Sequence, residues 1–363
     1  GSAVCVQSGA KVTIEGDDKT KGKNHTLSAD GTLIVKGGTF DQDPSAYLAP
    51  GYVAEKTGNV WTVKLMTMEI FLTAAGTVTT ADATDAAYSL MFTITDNANK
   101  EVSVKIGSKK PASNSNAHLV IPATVAFNGV NETFKVTAIE DNAFMTCYNF
   151  VGDLEIPATV KKIGTSAFLQ AYSNTTIGKL TLHEGLETIM NSAFTLSHFN
   201  NDVLEIPSTV TFIGSHAFNA TNMNGTLVIN GNVNSEGGFH GFAGSLFTKV
   251  VIKEGVTELT DTSNKGVFGK MAGLEEVVIP SSLTKLGAGA FSEVTTIRLI
   301  TSNAETAPTL GTAAFTTEVK ENAVMLVHTD YHNYIINGQN WGGIKNIYGV
   351  KEIIKEGYSL LVK

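Results

Sequence analysis

His328 and His332 stand four residues apart with Asp330 between them. On a helix that spacing puts two imidazoles on one face, where they can chelate a metal ion. No third ligand lies nearby, so the pair reads as a solvated surface and no metal is expected. Asp41 and Asp43, and the stretch 79–85, carry carboxylates of the kind Ca²⁺ prefers; both read as loops. Cys5 and Cys147 are the only cysteines. Two thiols make neither a disulfide framework nor a thiolate zinc site, which needs about four ligands. A catalytic thiol also needs a placed histidine, and no pairing is evident for Cys147. Patterns of the type GxSxG, HExxH, GxGxxG, P-loop or EF-hand are absent. No catalytic residue and no cofactor is expected, and the chain reads as a non-enzyme. Asn24-His25-Thr26 fits the glycosylation pattern.

The residues that recur do so for packing. Leu204–Phe218 reads LEIPSTVTFIGSHAF and Leu154–Phe168 reads LEIPATVKKIGTSAF. Looser copies are Leu180–Phe194, LTLHEGLETIMNSAF, and Val277–Phe291, VVIPSSLTKLGAGAF. The closing aromatics Phe144, Phe168, Phe194, Phe218, Phe242, Phe268, Phe291 and Phe315 follow one another at 24, 26, 24, 24, 26, 23 and 24 residues. Self-similarity at such a period specifies a solenoid, because one unit cannot bury its apolar face alone. Leu-x-Ile places two side chains on one face of a short strand. The following Pro lacks a donor and ends the pairing. Val160 and Ile163 then point inward from a second short strand on the opposite wall. Gly164, Gly214, Gly287 and Gly311 are expected to supply tight turns, and Ala-Phe closes each coil. Cys147 occupies the position of Ala171, Ser197, Thr221 and Ser245 and reads as a small buried residue.

Three phrases carry a family resemblance: Ile121-Pro122 within LVIPATV, Val136–Ile139, and Ala143–Cys147. With their recurrences they resemble the BspA-like leucine-rich repeat proteins over residues 119 to about 347. Two stretches depart from the frame and are expected to bulge: Leu227–Phe242, where Glu236 falls near an Ile position, and DTSNKG between Leu259 and Phe268. VMLVHTDYHNYIINGQNWGGIKNI resembles the closing segment of the same family, with a tyrosine-bearing helix at Tyr331–Ile336 and Trp341. The phrase GTLIVKGGTFDQDPSAYLAPGYVAEKTGNVWTV resembles the last coil of parallel β-helix segments of bacterial surface proteins. The expected fold is therefore mainly β with short helical turns: a leucine-rich-repeat solenoid with β caps and a small N-terminal β module. Its divisions are 1–65, the small module; 66–118, a cap containing a hairpin over Tyr88–Ile106; 119–323, a solenoid of about eight coils; and 324–363, a C-terminal cap.

Of the 363 residues 42% are apolar, which suits a folded chain. The net charge of −8 argues against nucleic acid as partner. No apolar run of about 18 residues exists, so no helical membrane span is expected. Gly1-Ser2 reads as an expression scar on a trimmed chain. The family resemblance implies a secreted or cell-surface protein, lipid-anchored where a fuller chain carries the signal. It would mediate adhesion, binding a host or bacterial surface protein or a glycan, as a monomer. The alternatives are an accessory glycan-binding or lyase-related module of a surface polysaccharide system, with the chemistry in residues 1–65, and a structural spacer. A lyase would need many more coils and a carboxylate cluster than Asp41 and Asp43 supply. For binding, strand alternation turns one residue per coil outward between the two inward ones. That ladder is expected to be Glu155, Thr181, Glu205, Val228, Val251, Val278 and Arg298. It is flanked by Asp153, Lys179, Val203, Thr226, Lys249, Glu276 and Thr296. Its middle is apolar and its early end acidic, and contiguous exposed apolar surface marks interaction sites.

Overall fold

A computed structural model describes residues 4–6, 11–14, 27–29, 32–78, 85–127, 132–172, 177–235, 240–261 and 266–350. The glycosylation pattern at 24–26, most of the stretch 79–85 and the expected bulges at 236–239 and 262–265 lie outside them, as does the tail from 351. The chain divides into two compact units. The first comprises residues 1–70, 91–104 and 124–135; the second comprises 71–90, 105–123 and 136–363.

In the first unit, Val4–Val6 pairs in parallel with Leu27–Ala29, and Lys11–Ile14 pairs in parallel with Thr32–Val35. Gly38–Phe40, Tyr52–Thr57 and Val60–Leu65 follow as an antiparallel sheet with Val60–Leu65 in the centre. Leu33, Val35, Phe40 and Val63 form its buried core. The Lys56 ammonium lies over the Trp61 ring, 5.4 Å from its centroid. The expected hairpin is present, since Tyr88–Asp96 and Glu101–Ile106 are neighbours in one sheet.

The second unit is the solenoid. Its first wall is built from Gly152–Glu155, Ile177–Thr181, Val203–Ile206, Asn224–Ile229, Leu246–Ile252, Glu276–Ile279, Leu299–Ser302, Val324–Val327 and Asn346–Gly349. Its second wall runs through Lys162–Ile163, Thr188–Ile189, Phe212–Ile213, Asn234–Ser235, Glu258–Asp261, Lys285–Leu286 and Thr309–Leu310. The second-wall strands pair in parallel, coil to coil. The inward residues read from the motif are sealed: Leu154, Ile156, Val160, Ile163 and Phe168 have no exposed surface. The chain leaves the first wall at Pro157, whose carbonyl accepts the Val160 N–H at 2.9 Å.

The third side of each coil is the Ala-Phe segment, and its backbone is hydrogen-bonded to the next coil. N–H groups of Asn142, Phe144 and Thr146 donate to the carbonyls of Thr165, Ala167 and Leu169 at 2.8, 2.6 and 2.8 Å. Ser192, Phe194 and Leu196 do the same to Ser215, Ala217 and Asn219. The arrangement needs left-handed backbone on either side of each Phe, at Asn142 and Thr146 and at Ser192 and Leu196, with φ between 55° and 58°. The motif glycines open these turns, the Gly164 and Gly214 carbonyls accepting the Ala167 and Ala217 N–H groups at 3.3 and 3.2 Å, but not through left-handed backbone. None of Gly164, Gly214, Gly287 and Gly311 has a positive φ. Three of them instead admit the neighbouring coil: a Cβ would stand 2.6 Å from Asp141 N at Gly164, 2.5 Å from Asn191 N at Gly214 and 2.2 Å from Ala288 N at Gly311.

Along the axis the eight phenylalanines form a continuous stack. Centroid separations run 5.2, 5.1, 5.1, 4.7, 6.2, 5.3 and 5.6 Å, with neighbouring rings no more than 21° from parallel. The stack ends on Trp341, edge-on to Phe315 at 5.7 Å, whose Nε1–H donates to the Pro308 carbonyl at 2.7 Å. At the other end Phe150 sits edge-on to both Phe144 and Tyr88. Thr317–Asn322 is a short α-helix, and Tyr331–Tyr334 is a 3-10 turn shorter than the expected helix.

Removing one ring leaves a void between two that cannot close. Phe194→Ala should therefore destabilise by about 3–5 kcal/mol in urea melts; a loss under about 1 kcal/mol would show that the stack is not the core. Gly214→Ala should cost about 1–3 kcal/mol through overpacking against Asn191, although alanine suits the backbone conformation there. An unchanged melt would rule out close approach as the reason for glycine.

Candidate binding face

Parallel pairing fixes which outward residues align on the first wall. Glu155 pairs with Thr181 in the leading two-stranded sheet. In the seven-stranded sheet the ladder runs Glu205, Val228, Val251, Val278, Thr301, Leu326 and Tyr348. Between the two sheets the Asn201 carboxamide replaces a backbone pairing: its Oδ1 accepts the Leu180 N–H and its Nδ2 donates to the Leu180 carbonyl, each at 2.9 Å.

Two expected members change. Arg298 is not in the ladder, because the strand is Leu299–Ser302 and its rung is Thr301. The inward position that is Ile in most other coils is Ser302 here, buried and bonded to the Tyr334 hydroxyl at 2.6 Å. The apolar pair legible in the sequence, Ile297 and Leu299, is thus displaced from the true inward pair, Ile300 and Ser302. Arg298 instead extends into solvent and pairs with Glu275 at 2.9 Å. In the flanking row Thr296 gives way to Leu299, which pairs with Glu276. Val228 is only 5% exposed, not a free apolar rung. A short branched side chain between Glu205 and Val251, at the narrow spacing of parallel strands, is covered by its neighbours. Asn230 Nδ2 reaches back to Glu205 Oε2 at 3.4 Å on the same stretch.

The remaining rungs are available. Glu155, Thr181 and Glu205 are exposed; Val251, Val278 and Thr301 are half-buried. Beside them Val203 is 49% exposed. His183, two residues after Thr181, reaches Glu155 Oε1 with Nε2 at 2.8 Å. The repeat offset places His183 one coil from Glu155, so their meeting was readable from the period although it was not singled out. Lys249 and Glu276 pair across the flanking row at 2.8 Å.

Of the residues first considered for chemistry, Asp43, Asp330, His332 and Cys147 serve structure. His332 turns its Nδ1 to Asp330 Oδ1 at 2.6 Å, and His328 lies outside the 3-10 turn, so the two do not share a helix face. Asp43 Oδ1 accepts the Ser45 N–H at 2.9 Å, and the Ser45 hydroxyl and N–H hold its carboxyl below the usual range. Cys147 is buried, and burial pushes its thiol up to about 11. Among the described residues no group of three or more His, Cys, Asp or Glu side chains is placed to hold a metal. Nor is any helix among them long and apolar enough to cross a membrane.

The turns bordering the face are stapled coil to coil by glutamates. Glu184 accepts the Ser208 N–H at 2.8 Å and the Ser208 hydroxyl at 2.9 Å. Glu254 accepts the Ser281 N–H and hydroxyl, both at 2.8 Å.

The family model for the BspA type leucine rich repeat region matches residues 126–238 and 237–340, with six copies. Among solved structures, a leucine-rich repeat protein from Bacteroides ovatus is 16% identical, with 72% of this chain and 75% of that one covered and a TM-score of 0.32. A leucine rich cell surface protein from Faecalibacterium prausnitzii is 16% identical over 74% of this chain and 94% of that one, with a TM-score of 0.31. The pneumococcal vaccine antigen PcpA is 14% identical over 78% of this chain and 95% of that one, with a TM-score of 0.26. No curated protein matches.

The glutamate staples predict a pH dependence. The Ser208 main-chain N–H, with further help from its hydroxyl and from Thr209, holds Glu184 below its ordinary 4.5; Ser281 does the same for Glu254. A carboxyl lowered on folding stabilises the fold at neutral pH, and that contribution is lost as pH falls below 4.5 through the lowered value. Glu184→Gln/Glu254→Gln should melt with a shallower dependence between about pH 5 and pH 3 than the parent. Equal slopes would mean that the staples carry no charge-dependent stability.

Proposed function

The chain belongs to the BspA-type leucine-rich repeat family, and from that premise we propose that it is a non-catalytic adhesion protein, secreted or held at a cell surface. Its first-wall face binds a protein or glycan partner. The observation that carries this reading is the pair of in-register runs on parallel strands: Glu155 with Thr181 in the leading sheet, and Glu205, Val251, Val278 and Thr301 in the longer one, all standing outward. Such an array presents many weak contacts at a fixed spacing, which is how stacked repeats form extended binding surfaces. Half-buried Val251 and Val278 supply the apolar centre, and Glu155 and Glu205 supply charge toward the early end. Arg298, off the ladder, remains a rim residue through its exposed guanidinium. Supporting the non-catalytic reading, Asp43, Asp330 and His332 are held in local hydrogen bonds and Cys147 is sealed in the core.

A second reading, an accessory glycan-binding module, draws on the first unit, whose paired strands wind as a parallel β-helix coil. One winding offers a short platform rather than a groove, so the first-wall face is preferred.

Val251→Lys/Val278→Lys places two ammonium groups in the apolar centre without touching the inward residues. Retention on a panel of immobilised matrix proteins and glycans should fall by about tenfold or more, with unchanged melting. A variant that adheres as well as the parent would reduce the ladder to scaffold.

A further inference from the structure

The first wall is open at its leading end. Ala117 and Phe150 form a parallel bridge, and the Val151 N–H donates to the Ala117 carbonyl at 2.9 Å. Beyond that point the pairing stops. From Val203 onward the equivalent segments stay joined, as Val203–Ile206 is to Thr226–Ile229. Here Leu119–Ile121 and Asp153–Glu155 diverge around a cleft of about 630 Å³. The first segment is drawn away by other partners. The His118 N–H donates to the Ala74 carbonyl at 2.8 Å, and the Val120 N–H donates to the Tyr88 hydroxyl at 3.0 Å.

The chemistry of the cleft follows from strand geometry. In a parallel sheet, successive residues direct their main-chain groups to opposite neighbours. The Ile156 N–H is committed to the following coil, donating to the Thr181 carbonyl at 3.0 Å. The main-chain groups of Asp153 and Glu155 therefore face the cleft, as Val151 faces Ala117. By the same alternation Leu119 and Ile121 face it from the other side. Among the described residues no hydrogen bond joins the two edges across the cleft. Two strand edges thus oppose each other with room between them. Leu119 and Ile121 are buried and Val120 is exposed. The lining side chains that carry charge are the carboxylates of Asp153 and Glu155, the latter also bonded to His183 Nε2, and the His118 imidazole lines the cleft beside them. A register irregularity follows Gly152, where Asp153 opposes Gly178 and Lys179, and bulges of this kind re-aim side chains beside sites. Asp153 Oδ1 accepts the Lys179 N–H of the following coil at 2.7 Å, which fixes the orientation of its carboxylate.

We propose that this cleft receives an extended basic peptide segment of a partner protein, added as a strand between Leu119–Ile121 and Asp153–Glu155. Strand addition satisfies both edges through main-chain hydrogen bonds, and alternation then sorts the side chains. Small apolar residues of the peptide face inward over Leu119 and Ile121, while lysines or arginines face outward to Asp153 and Glu155. The proposal rests on the protein-binding reading above and names a partner class and a place for it.

The probe is a fluorescein-labelled peptide, TKVKVKT, titrated into the full chain and followed by anisotropy and amide exchange. Saturable binding is expected, with protection of the amides of Leu119, Ile121, Asp153 and Glu155. The analogue TKPKPKT, which cannot donate at two positions, and the acidic TEVEVET should both fail to bind. Asp153→Lys/Glu155→Lys should weaken binding by about tenfold or more. Ala75→Trp, which fills the mouth and leaves both carboxylates, should do the same and guards against a charge variant that misfolds. Val251→Lys/Val278→Lys should bind the peptide like the parent, so failure of the ladder and failure of the cleft register separately. No binding by the parent, binding of the proline peptide, or equal binding by both cleft variants overturns the proposal.

Discussion

Contact between neighbouring coils is the constraint from which the rest of the solenoid follows. A single coil of about two dozen residues has two short strands, too little to enclose a core. Each Phe ring is buried because it lies between the rings before and after it, about 5 Å away on either side. Backbone groups obey the same logic. In the Ala-Phe segment alternate N–H groups donate forward to the next coil, which satisfies polar groups that the tight turn would otherwise bury unpaired. Left-handed residues such as Asn142 and Ser192 are adopted because this bonding stabilises them.

That dependence on neighbours makes the two ends special. At one end Trp341 stands edge-on to the last ring and ties its indole N–H to Pro308, so the stack is covered by a group that cannot extend it. At the other, Phe150 turns edge-on to the first ring and Tyr88 edge-on to Phe150, and the Tyr88 hydroxyl holds the segment at His118 and Val120. The same hydroxyl diverts that segment from the first wall. Covering the aromatic stack and opening the wall are therefore linked through one residue, and the divergence of Leu119–Ile121 from Asp153–Glu155 accompanies the closure of the core.

The candidate face and the cleft differ in what they offer. The ladder presents side chains from strands whose backbones are already paired, so recognition there depends on shape and on a shallow apolar centre. The cleft presents backbone, a stronger but less selective source of binding, with two carboxylates to bias it toward basic segments. The ladder is bordered by devices that hold the coils in register, the Asn201 carboxamide bridge and the Glu184 and Glu254 staples. These polar contacts join one coil to the next at positions where the strands themselves are not continuous.

The period, the identity of the buried aromatics and the inward pairs of well-kept coils were legible from residue types alone. Spacing near 24 and Leu-x-Ile alternation are local properties that survive without knowing any partner, which is why the Phe spine and the walls through Leu154, Ile163 and Leu204 could be read directly. The role of Gly164 and Gly214 was not local. Turn formation and close approach both call for glycine, and only the position of the adjacent coil separates them. The rung at Thr301 was hidden because Ser302 fills an inward position with a hydroxyl that Tyr334 satisfies, a partner 32 residues away. Val228 carries the same side chain as Val251, and its burial was decided by what stands on either side. The sequence by itself determined the repeat and its core, because those depend on periodic apolar residues. Tertiary structure decided register, exposure and the opening at Asp153 and Glu155, because those depend on which distant groups compete for the same hydrogen bonds.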